Sequence, residues 1–446
     1  MRRRDFGKAL LGATAGASLR AVRLSGEEPR QAEGAERPHR KNTRMHVNGD
    51  YHVVEGKEFI SKENIGYNLR CGATHVNPDP VLIAAHSGPP KAAPKSGWGD
   101  FISSESPQAG AFDLDALKRM RDLCDSMGMT IEGFRMDSGY IVMKPGPERE
   151  RKLDQVCENT RKSRAVGVGL ISQHWTAIPI RRNGTEPGRG DSVYTTFKLE
   201  ADWKSLPAGP FGRLSDDEYC ERIETFLHCV IPVCREYNVN MANHPYDPPG
   251  LPWGYEGVDN FDSPSIFDAY KRHATIVDDP HNGFQMDVGV LAEGSTDANR
   301  QIPPPVQWLA DRGRIHQAHM RAIHGGLDDF AEVYPDDGVL DFFPTIRILR
   351  DSGFPGGILP DHVPARPGDP GKLQNYAFAY GYLKALIQAA SSEVAQAGPL
   401  AAKTAHAAGW DEKSIDQRKT QFVADSTPAL RIMRTALSRN GNGLAK

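Results

Sequence analysis

The sequence has no excess of charge of either sign and, beyond its N-terminus, no long apolar run. Its 446 residues include 54 Lys and Arg against 57 Asp and Glu, which gives a formal net charge of −3. Proteins that bind nucleic acid usually carry a clear basic excess, so the composition argues against that class. No stretch approaches the roughly 20 apolar residues of a membrane-spanning helix. We therefore expect a mature chain that needs neither nucleic acid nor a membrane as a partner.

Cysteine is also scarce, and the cysteines present do not form a metal or redox motif. The six are Cys71, Cys124, Cys157, Cys220, Cys229 and Cys234, and no two of them form a Cys-x-x-Cys pair. Free cysteine is among the most frequently buried residue types, so we expect mostly buried, apolar thiols. A disulfide stays open as an alternative if the protein is exported.

Apolar residues, glycine and proline are what the chain has in quantity. Hydrophobic residues make up 39% of the chain, which also contains 44 glycines and 33 prolines. This composition is sufficient for a large core and predicts many turns and long loops between the elements. The length fits one large α/β barrel or two to three ordinary domains.

The N-terminal residues 1–20 resemble an export signal. Arginines at positions 2–4 precede an uncharged stretch, residues 9–19, in which small residues offer cleavage sites. The order Arg3-Arg4-Asp5-Phe6-Gly7-Lys8 is similar to the twin-arginine motif, which directs folded proteins across the bacterial inner membrane. We therefore expect a periplasmic protein, or a cytoplasmic one if this segment is not a signal. Residues 21–60 are charged and aperiodic, and are predicted to be a linker.

From about residue 110 the chain alternates helical and strand patterns, which is typical of βα units around a parallel sheet. Ser215 and Glu218 have the spacing of a capping box ahead of a long amphipathic helix. Short strands are predicted over residues 129–134 and 166–171, where apolar and β-branched side chains cluster.

Four predicted strands in the second half of the chain end in side chains that bind metals or transfer protons. These side chains are His244, Asp287, His319 and the pair Asp361 and His362. The first four are separated by 43, 32 and 42 residues, which is compatible with one βα unit plus loop insertions at each step. The C-terminal ends of the strands of a (β/α)8 barrel share one face. The pattern therefore predicts an α/β fold, a (β/α)8 TIM barrel over residues 61–395, followed by a C-terminal extension over residues 396–446.

Four short motifs, in this order, resemble the mannonate dehydratase family. They are His244-Pro245-Tyr246-Asp247-Pro248-Pro249, Asn282-Gly283-Phe284, His319-Met320-Arg321 and Pro360-Asp361-His362. The resemblance extends over roughly residues 110–395. It implies a TIM barrel related to xylose-isomerase-like enzymes. It also implies a lyase that dehydrates a small sugar acid, D-mannonate, to 2-keto-3-deoxy-D-gluconate with a divalent metal, typically manganese.

The resemblance further implies which residues bind the metal. The ligands would be His244, His319 and Asp361, and Asp287 stands where the family has a cysteine. A carboxylate in that place keeps a negative ligand and favours hard ions, so Mn²⁺ is expected, with Mg²⁺ or Fe²⁺ as alternatives.

Three further residues are candidates for catalysis. Dehydration requires a base that removes the proton next to the carboxylate and an acid that protonates the departing hydroxyl. His362, adjacent to a ligand, is expected to fill one of these roles. Tyr376, which resembles the tyrosine that follows the family's Asp-His motif, is expected to fill the other. Arg321 is expected to pair with the substrate carboxylate through two parallel hydrogen bonds.

Two other functions stay open at this point. An isomerase or epimerase of the xylose-isomerase-like class needs the same barrel and metal but loses no water, and the altered ligand Asp287 motivates it. A non-catalytic periplasmic protein would bind a sugar acid without converting it. The sequence also leaves open whether the chain forms a homo-oligomer.

Overall fold

The computed structural model describes residues 45–49, 54–80, 110–136, 139–178, 180–209 and 211–407, with residues 394–407 described as helix backbone only. The predicted export signal, residues 1–20, lies outside the described residues. So do most of the predicted linker and the C-terminal extension beyond residue 407. Among the described helices, none combines the length and the apolar composition that crossing a membrane would need.

A closed parallel barrel forms the centre of the described chain. Its strands are β1 (His46–Gly49), β2 (His75–Val76), β3 (Thr130–Ile131), β4 (Phe134–Arg135), β5 (Leu170–His174), β8 (Asn240–His244), β9 (Asn282–Asp287), β10 (Ile315–His319) and β13 (Gly357–Leu359). They follow one another in the order β3-β2-β1-β13-β10-β9-β8-β5-β4, and every pairing is parallel. β3 and β4, at the two ends of this order, are consecutive pieces separated by Glu132 and Gly133. The described strands therefore occupy eight positions around the barrel, which confirms the predicted (β/α)8 fold.

Strand β1 corrects the predicted linker over residues 21–60. It pairs in parallel with both β13 and β2, so it closes the barrel. The linker prediction is wrong for these residues, because the strand has the sequence His-Val-Asn-Gly and offers no apolar run. Its side chains His46 and Asn48 instead contact the buried carboxylate of Glu132 inside the barrel.

Helices surround the barrel and follow the capping signals of the sequence. They are α1 (Lys62–Cys71), α2 (Leu114–Met127), α3 (Pro147–Ala165), α4 (Asp216–Tyr237), α5 (Ile266–Ile276), α6 (Val288–Glu293), α7 (Ala298–Gln301), α8 (Pro303–Ala310), α9 (Phe342–Asp351) and α10 (Leu373–Ala407). The predicted capping box of Ser215 and Glu218 is present at the start of α4. Helix α10 runs through residues 395 and 396, where the boundary between the barrel and the C-terminal extension was predicted.

The segments between barrel strands also form a small antiparallel sheet, which the sequence patterns did not predict. It consists of β6 (Gly184–Pro187), β7 (Val193–Lys198), β11 (Ala322–Gly326) and β12 (Asp329–Val333), in the order β11-β12-β7-β6. β11 begins three residues after barrel strand β10 ends. The sheet therefore connects directly to the end of the barrel where the predicted ligands lie.

The cysteines are all free thiols. Cys124, Cys157 and Cys234 are buried, whereas the other three are partly exposed. The alternative of a disulfide therefore finds no pair in this structure, and half of the cysteines are less buried than expected.

Candidate metal centre and active site

The predicted ligands meet at the C-terminal ends of adjacent parallel strands. His244 ends β8, Asp287 ends β9 and His319 ends β10. In the strand register His319 lies opposite Asp287, and His244 lies opposite His174 at the end of β5. The residues are distant in sequence, yet the barrel topology brings them together as predicted.

His244, Asp287 and His319 form a cluster that can hold a metal ion. One ligand atom from each lies within 4.8 Å of the other two. Asp287 Oδ2 is 3.4 Å from His244 Nε2 and 3.8 Å from His319 Nδ1. His319 is fully buried, and neither of its ring nitrogens makes a hydrogen bond to any described residue. Two imidazoles and a carboxylate are donors that divalent Mn, Fe or Zn accepts. The residues present therefore fit a divalent ion.

Asp287 is held in place by the helix that it starts. Its Oδ1 accepts hydrogen bonds from the backbone N–H groups of Gly289, at 2.6 Å, and Val290, at 3.0 Å, at the first turn of α6. These bonds leave Oδ2 to face the two histidines. Burial alone would raise the pKa of Asp287, but Arg321 and the histidines outweigh it and hold the pKa well below its usual range. The carboxylate is therefore ionised and ready to bind a cation.

Asp361, the fourth predicted ligand, lies beside this cluster. Its Oδ1 is 3.2 Å from His319 Nδ1, and its Oδ2 is 3.1 Å from Arg321 Nε. It is not part of the cluster of His244, Asp287 and His319, whose ligand atoms all lie within 4.8 Å of one another. Its backbone adopts a φ of 62°, and the Tyr376 hydroxyl donates to its carbonyl oxygen at 2.8 Å. The ligand role of Asp361 stays a prediction.

Arg321 is the centre of a buried ionic layer beneath the ligands. Its side chain is 0% exposed, and its guanidinium contacts the carboxylates of Asp247, Asp287, Glu293, Glu332 and Asp361. Each of the three guanidinium nitrogens lies within 3.4 Å of a carboxylate oxygen. The geometry therefore does not support the predicted pairing of Arg321 with a substrate carboxylate, because its donors are already engaged inside the protein.

Arg182 and its partners are site residues that the sequence patterns did not reveal. Arg182 binds Asp247 at 2.8 Å and Glu332 at 2.8 Å, and also lies 3.2 Å from Glu293. Asp247 is part of the His244–Pro249 motif, whereas Glu332 lies on β12, in the antiparallel sheet that the sequence patterns did not predict. Their buried neighbours come from distant parts of the chain, which is why no local pattern indicated the network.

The five carboxyl groups of this layer differ in the direction of their pKa shifts. Burial raises the pKa of Glu293 well above its usual range, which favours its neutral form. Burial opposes ionisation of the other four as well, but nearby cationic groups hold their pKa values low. These four are Asp247, Asp287, Glu332 and Asp361. These four carboxylates favour the ionised form, and the cationic groups among them are Arg182, Arg321 and His362.

A pocket opens beside the ligands, and its empty space together with the adjoining solvent is about 270 Å³. It is lined by His174, Thr176, Ile180, His244, Asp247, Asp361 and His362. His174 Nδ1 lies 2.8 Å from the Thr176 hydroxyl, and burial lowers the pKa of His174 to about 3, so its ring is neutral at pH 7.

His362 is the pocket residue best placed to transfer a proton. Its Nδ1 donates to Glu332 Oε1 at 2.7 Å, which leaves Nε2 as the second proton-bearing atom. Burial alone lowers the pKa of His362, but Asp361 and Glu332 outweigh burial and raise it. An imidazolium in the wall of the pocket can act as a general acid.

Sequence comparisons relate this chain to one group of enzymes. A sequence profile described as D-mannonate dehydratase (UxuA) matches residues 208–396. A mannonate dehydratase from Thermotoga maritima is 32% identical over 308 residues, which cover 59% of this chain and 82% of that protein. A mannonate dehydratase from Streptococcus pneumoniae is 28% identical over 302 residues, which cover 60% of this chain and 79% of that protein.

Solved structures share the fold. Mannonate dehydratase from Streptococcus suis serotype 2 superposes with a TM-score of 0.60 at 18% identity, covering 79% of this chain and 95% of that one. A xylose isomerase domain protein from Alicyclobacillus acidocaldarius superposes with a TM-score of 0.50 at 12% identity, covering 78% and 99%. At these identities the two structures establish the barrel fold alone.

Proposed function

Since the chain belongs to the mannonate dehydratase family, we propose that this hydro-lyase removes water from D-mannonate with the help of a divalent metal ion. The product would be 2-keto-3-deoxy-D-gluconate. The observation that supports this proposal most is the joint position of the His244, Asp287 and His319 cluster and of His362 around one pocket. A sugar acid in that pocket would lie against both a cation site and a proton donor.

The metal would be held by His244, Asp287 and His319, with Asp361 beside them. A divalent ion in this position supplies Lewis-acid stabilisation of the negative charge that develops when a proton leaves the carbon next to the carboxylate. We propose Mn²⁺, because the donors are imidazole nitrogens and hard carboxylate oxygens with no sulfur among them.

Arg321 and Arg182 keep the ligand carboxylates charged and fixed. Arg321 contacts both Asp287 and Asp361, and its buried positive charge favours their ionised forms. Arg182 binds Asp247 and Glu332, which also contact Arg321. The two arginines therefore position the site rather than bind the substrate.

His362 would protonate the departing hydroxyl. Glu332 accepts the Nδ1 proton of His362, which fixes the ring and leaves the Nε2 proton for transfer. The second proton-transfer role, at the carbon next to the carboxylate, stays with Tyr376 as a prediction. The Tyr376 hydroxyl already lies at the carbonyl of Asp361, on the chain segment that carries His362.

Incubation of the Mn²⁺-loaded protein with D-mannonate in D₂O tests this function and its alternatives. We expect a 2-keto-3-deoxy acid that has lost one water and carries one solvent deuterium at C3, where the enol takes up a proton to become the 2-keto acid. Recovery of a sugar acid that has gained deuterium, without this product, would instead favour an isomerase or epimerase. Binding of D-mannonate with no change in the sugar would favour a non-catalytic binding protein.

The place of action is a separate proposal. We propose that residues 1–20 direct the chain to the periplasm, on the basis of their similarity to a twin-arginine signal. A bacterial reporter fused after residue 40 should appear in the periplasmic fraction, and replacing Arg3 and Arg4 by Lys should retain it in the cytoplasm. A reporter that stays in the cytoplasm with the native sequence would contradict export.

A further inference from the structure

Lys372 is bonded to the chain segment that carries the pocket residues Asp361 and His362, and it is not used by the chemistry described above. It ends the short turn Pro370–Lys372 that precedes helix α10. Its Nζ donates to the backbone carbonyl oxygen of Val363 at 2.8 Å. Val363 directly follows His362, which lines the pocket, so this bond places the ammonium one residue along from the pocket wall.

The positive charge of Lys372 has no acidic partner. The side chain is half-buried, and within the part of the chain that the structure describes no carboxylate oxygen lies within 4.0 Å of its Nζ. The acidic side chains that raise the pKa of Lys372 are Glu332 and Asp361, and both are paired with other groups. Removing a cation from water without a counter-charge is unfavourable, so such a position calls for an anion from elsewhere.

The two arginines of the site are surrounded by carboxylates of the protein. The ring of His362 is bonded to Glu332. Two of the residues that line the pocket, Asp247 and Asp361, are themselves acidic and repel an anionic ligand. A sugar acid that enters this pocket is therefore stabilised by a further cation, and Lys372 is bonded to the residue that follows His362.

We propose that Lys372 is a substrate-binding residue whose ammonium pairs with the carboxylate of the sugar acid. The inference rests on the proposed function for the class of ligand, but it concerns binding and not conversion. It assigns to Lys372 the role that the sequence motifs assigned to Arg321. It also predicts that the pocket distinguishes a sugar acid from its neutral amide.

Calorimetric titration of the Mn²⁺-loaded full-length protein tests this role. The variants Lys372→Met and Lys372→Arg are compared in a His362→Gln background, which suppresses turnover during binding. The two ligands are D-mannonate and D-mannonamide, which has the same carbon chain without the negative charge. Lys384→Met is the matched control, because Lys384 is an exposed lysine on the helix that follows Lys372.

We expect Lys372→Met to raise the dissociation constant of D-mannonate at least about tenfold, as for the loss of a hydrogen bond to a charged group. The dissociation constant of D-mannonamide should change less than twofold, Lys372→Arg should restore most of the affinity, and Lys384→Met should have no effect.

An equal loss of affinity for acid and amide would overturn the proposal and leave Lys372 as a support for Val363. So would an unchanged affinity for D-mannonate, or the absence of D-mannonate binding to the protein with native Lys372. Failure of the proposed function is a different result, namely no 2-keto-3-deoxy acid from the wild-type protein while binding still depends on Lys372.

Discussion

At the scale of single residues, Asp287 caps a helix and also contributes to the candidate metal site. One carboxylate oxygen caps the first turn of α6, and the other faces His244 and His319. The cap prevents the carboxylate from rotating, so only one oxygen is presented to a cation. A bound ion therefore has a prearranged ligand that needs no reordering when it binds.

His244→Ala and His319→Ala should each reduce bound Mn²⁺ at least tenfold, because each removes one of three converging ligand atoms. Metal content after dialysis, measured by inductively coupled plasma mass spectrometry, checks this prediction. His228→Ala is the control, since His228 is an exposed histidine on α4. Full metal occupancy in both ligand variants would show that the ion binds elsewhere.

His362→Gln should lower kcat about 100-fold or more while the metal content stays unchanged, as expected when a general acid is lost. The wild-type enzyme should also depend on pH through this group. The pKa of His362 is raised, so the imidazolium persists above its usual pH range. The kcat should therefore fall with rising pH, at a higher pH than the titration of an ordinary histidine would give. A kcat that rises with pH over this range would contradict the acid role.

At the scale of elements, helix α6 and the strand end that carries Arg321 are packed so closely that only glycine fits between them. A Cβ atom built on Gly289 would lie 2.7 Å from Arg321 Cβ and 3.0 Å from the Arg321 carbonyl oxygen. The contact involves backbone as well as side chain, so Arg321 cannot move away at little cost. The small residue in α6 therefore sets the position of the buried ionic layer.

Gly289→Ala should lower the free energy of unfolding by about 1–3 kcal/mol through overpacking, and should weaken Mn²⁺ binding as Arg321 shifts. Gly381→Ala is the matched control, because Gly381 lies in helix α10 and an added methyl group there would have no neighbouring side chain within 4 Å. The control should be neutral or stabilising by about 0.5–1 kcal/mol. Equal denaturation curves for the two variants would show that the contact at Gly289 is unimportant.

At the scale of the whole molecule, the barrel depends on a strand at the very start of the described chain. β1 lies between β13 and β2, so it joins the last and the second strands of the barrel. Residues near the start of the described chain therefore complete the sheet whose strands β10 and β13 lead to His319 and Asp361.

A chain that begins at residue 50 should consequently fail to form a soluble, metal-binding protein, since it lacks β1. A chain that begins at Lys41 keeps every described element and should fold and bind Mn²⁺ like the full-length protein. Circular dichroism and size-exclusion chromatography of the two purified chains would compare them. A folded, active chain without β1 would contradict the closed barrel.

Much of this architecture could be predicted from local sequence patterns, and the rest depends on contacts between distant residues. The capping box of Ser215 and the strand ends at His244, Asp287 and His319 have local signals, and the structure contains them. β1 has none, because its polar side chains turn into the barrel. The partners of Arg321 lie up to 74 positions away in the sequence, so no local pattern reveals them. Its position two residues after His319 therefore suggested a contact with the substrate, whereas in the structure Arg321 lies in a buried ionic layer.

In the proposed reaction, dehydration of the sugar acid requires a metal ion at the His244, Asp287 and His319 cluster. Titrating Mn²⁺ into chelator-treated protein, while the formation of 2-keto-3-deoxy acid from D-mannonate is measured, tests this requirement. We predict no product without metal and a rate that rises to a plateau at one Mn²⁺ per chain. Product formed at full rate by the metal-free protein, or no product at any Mn²⁺ concentration, would contradict the account.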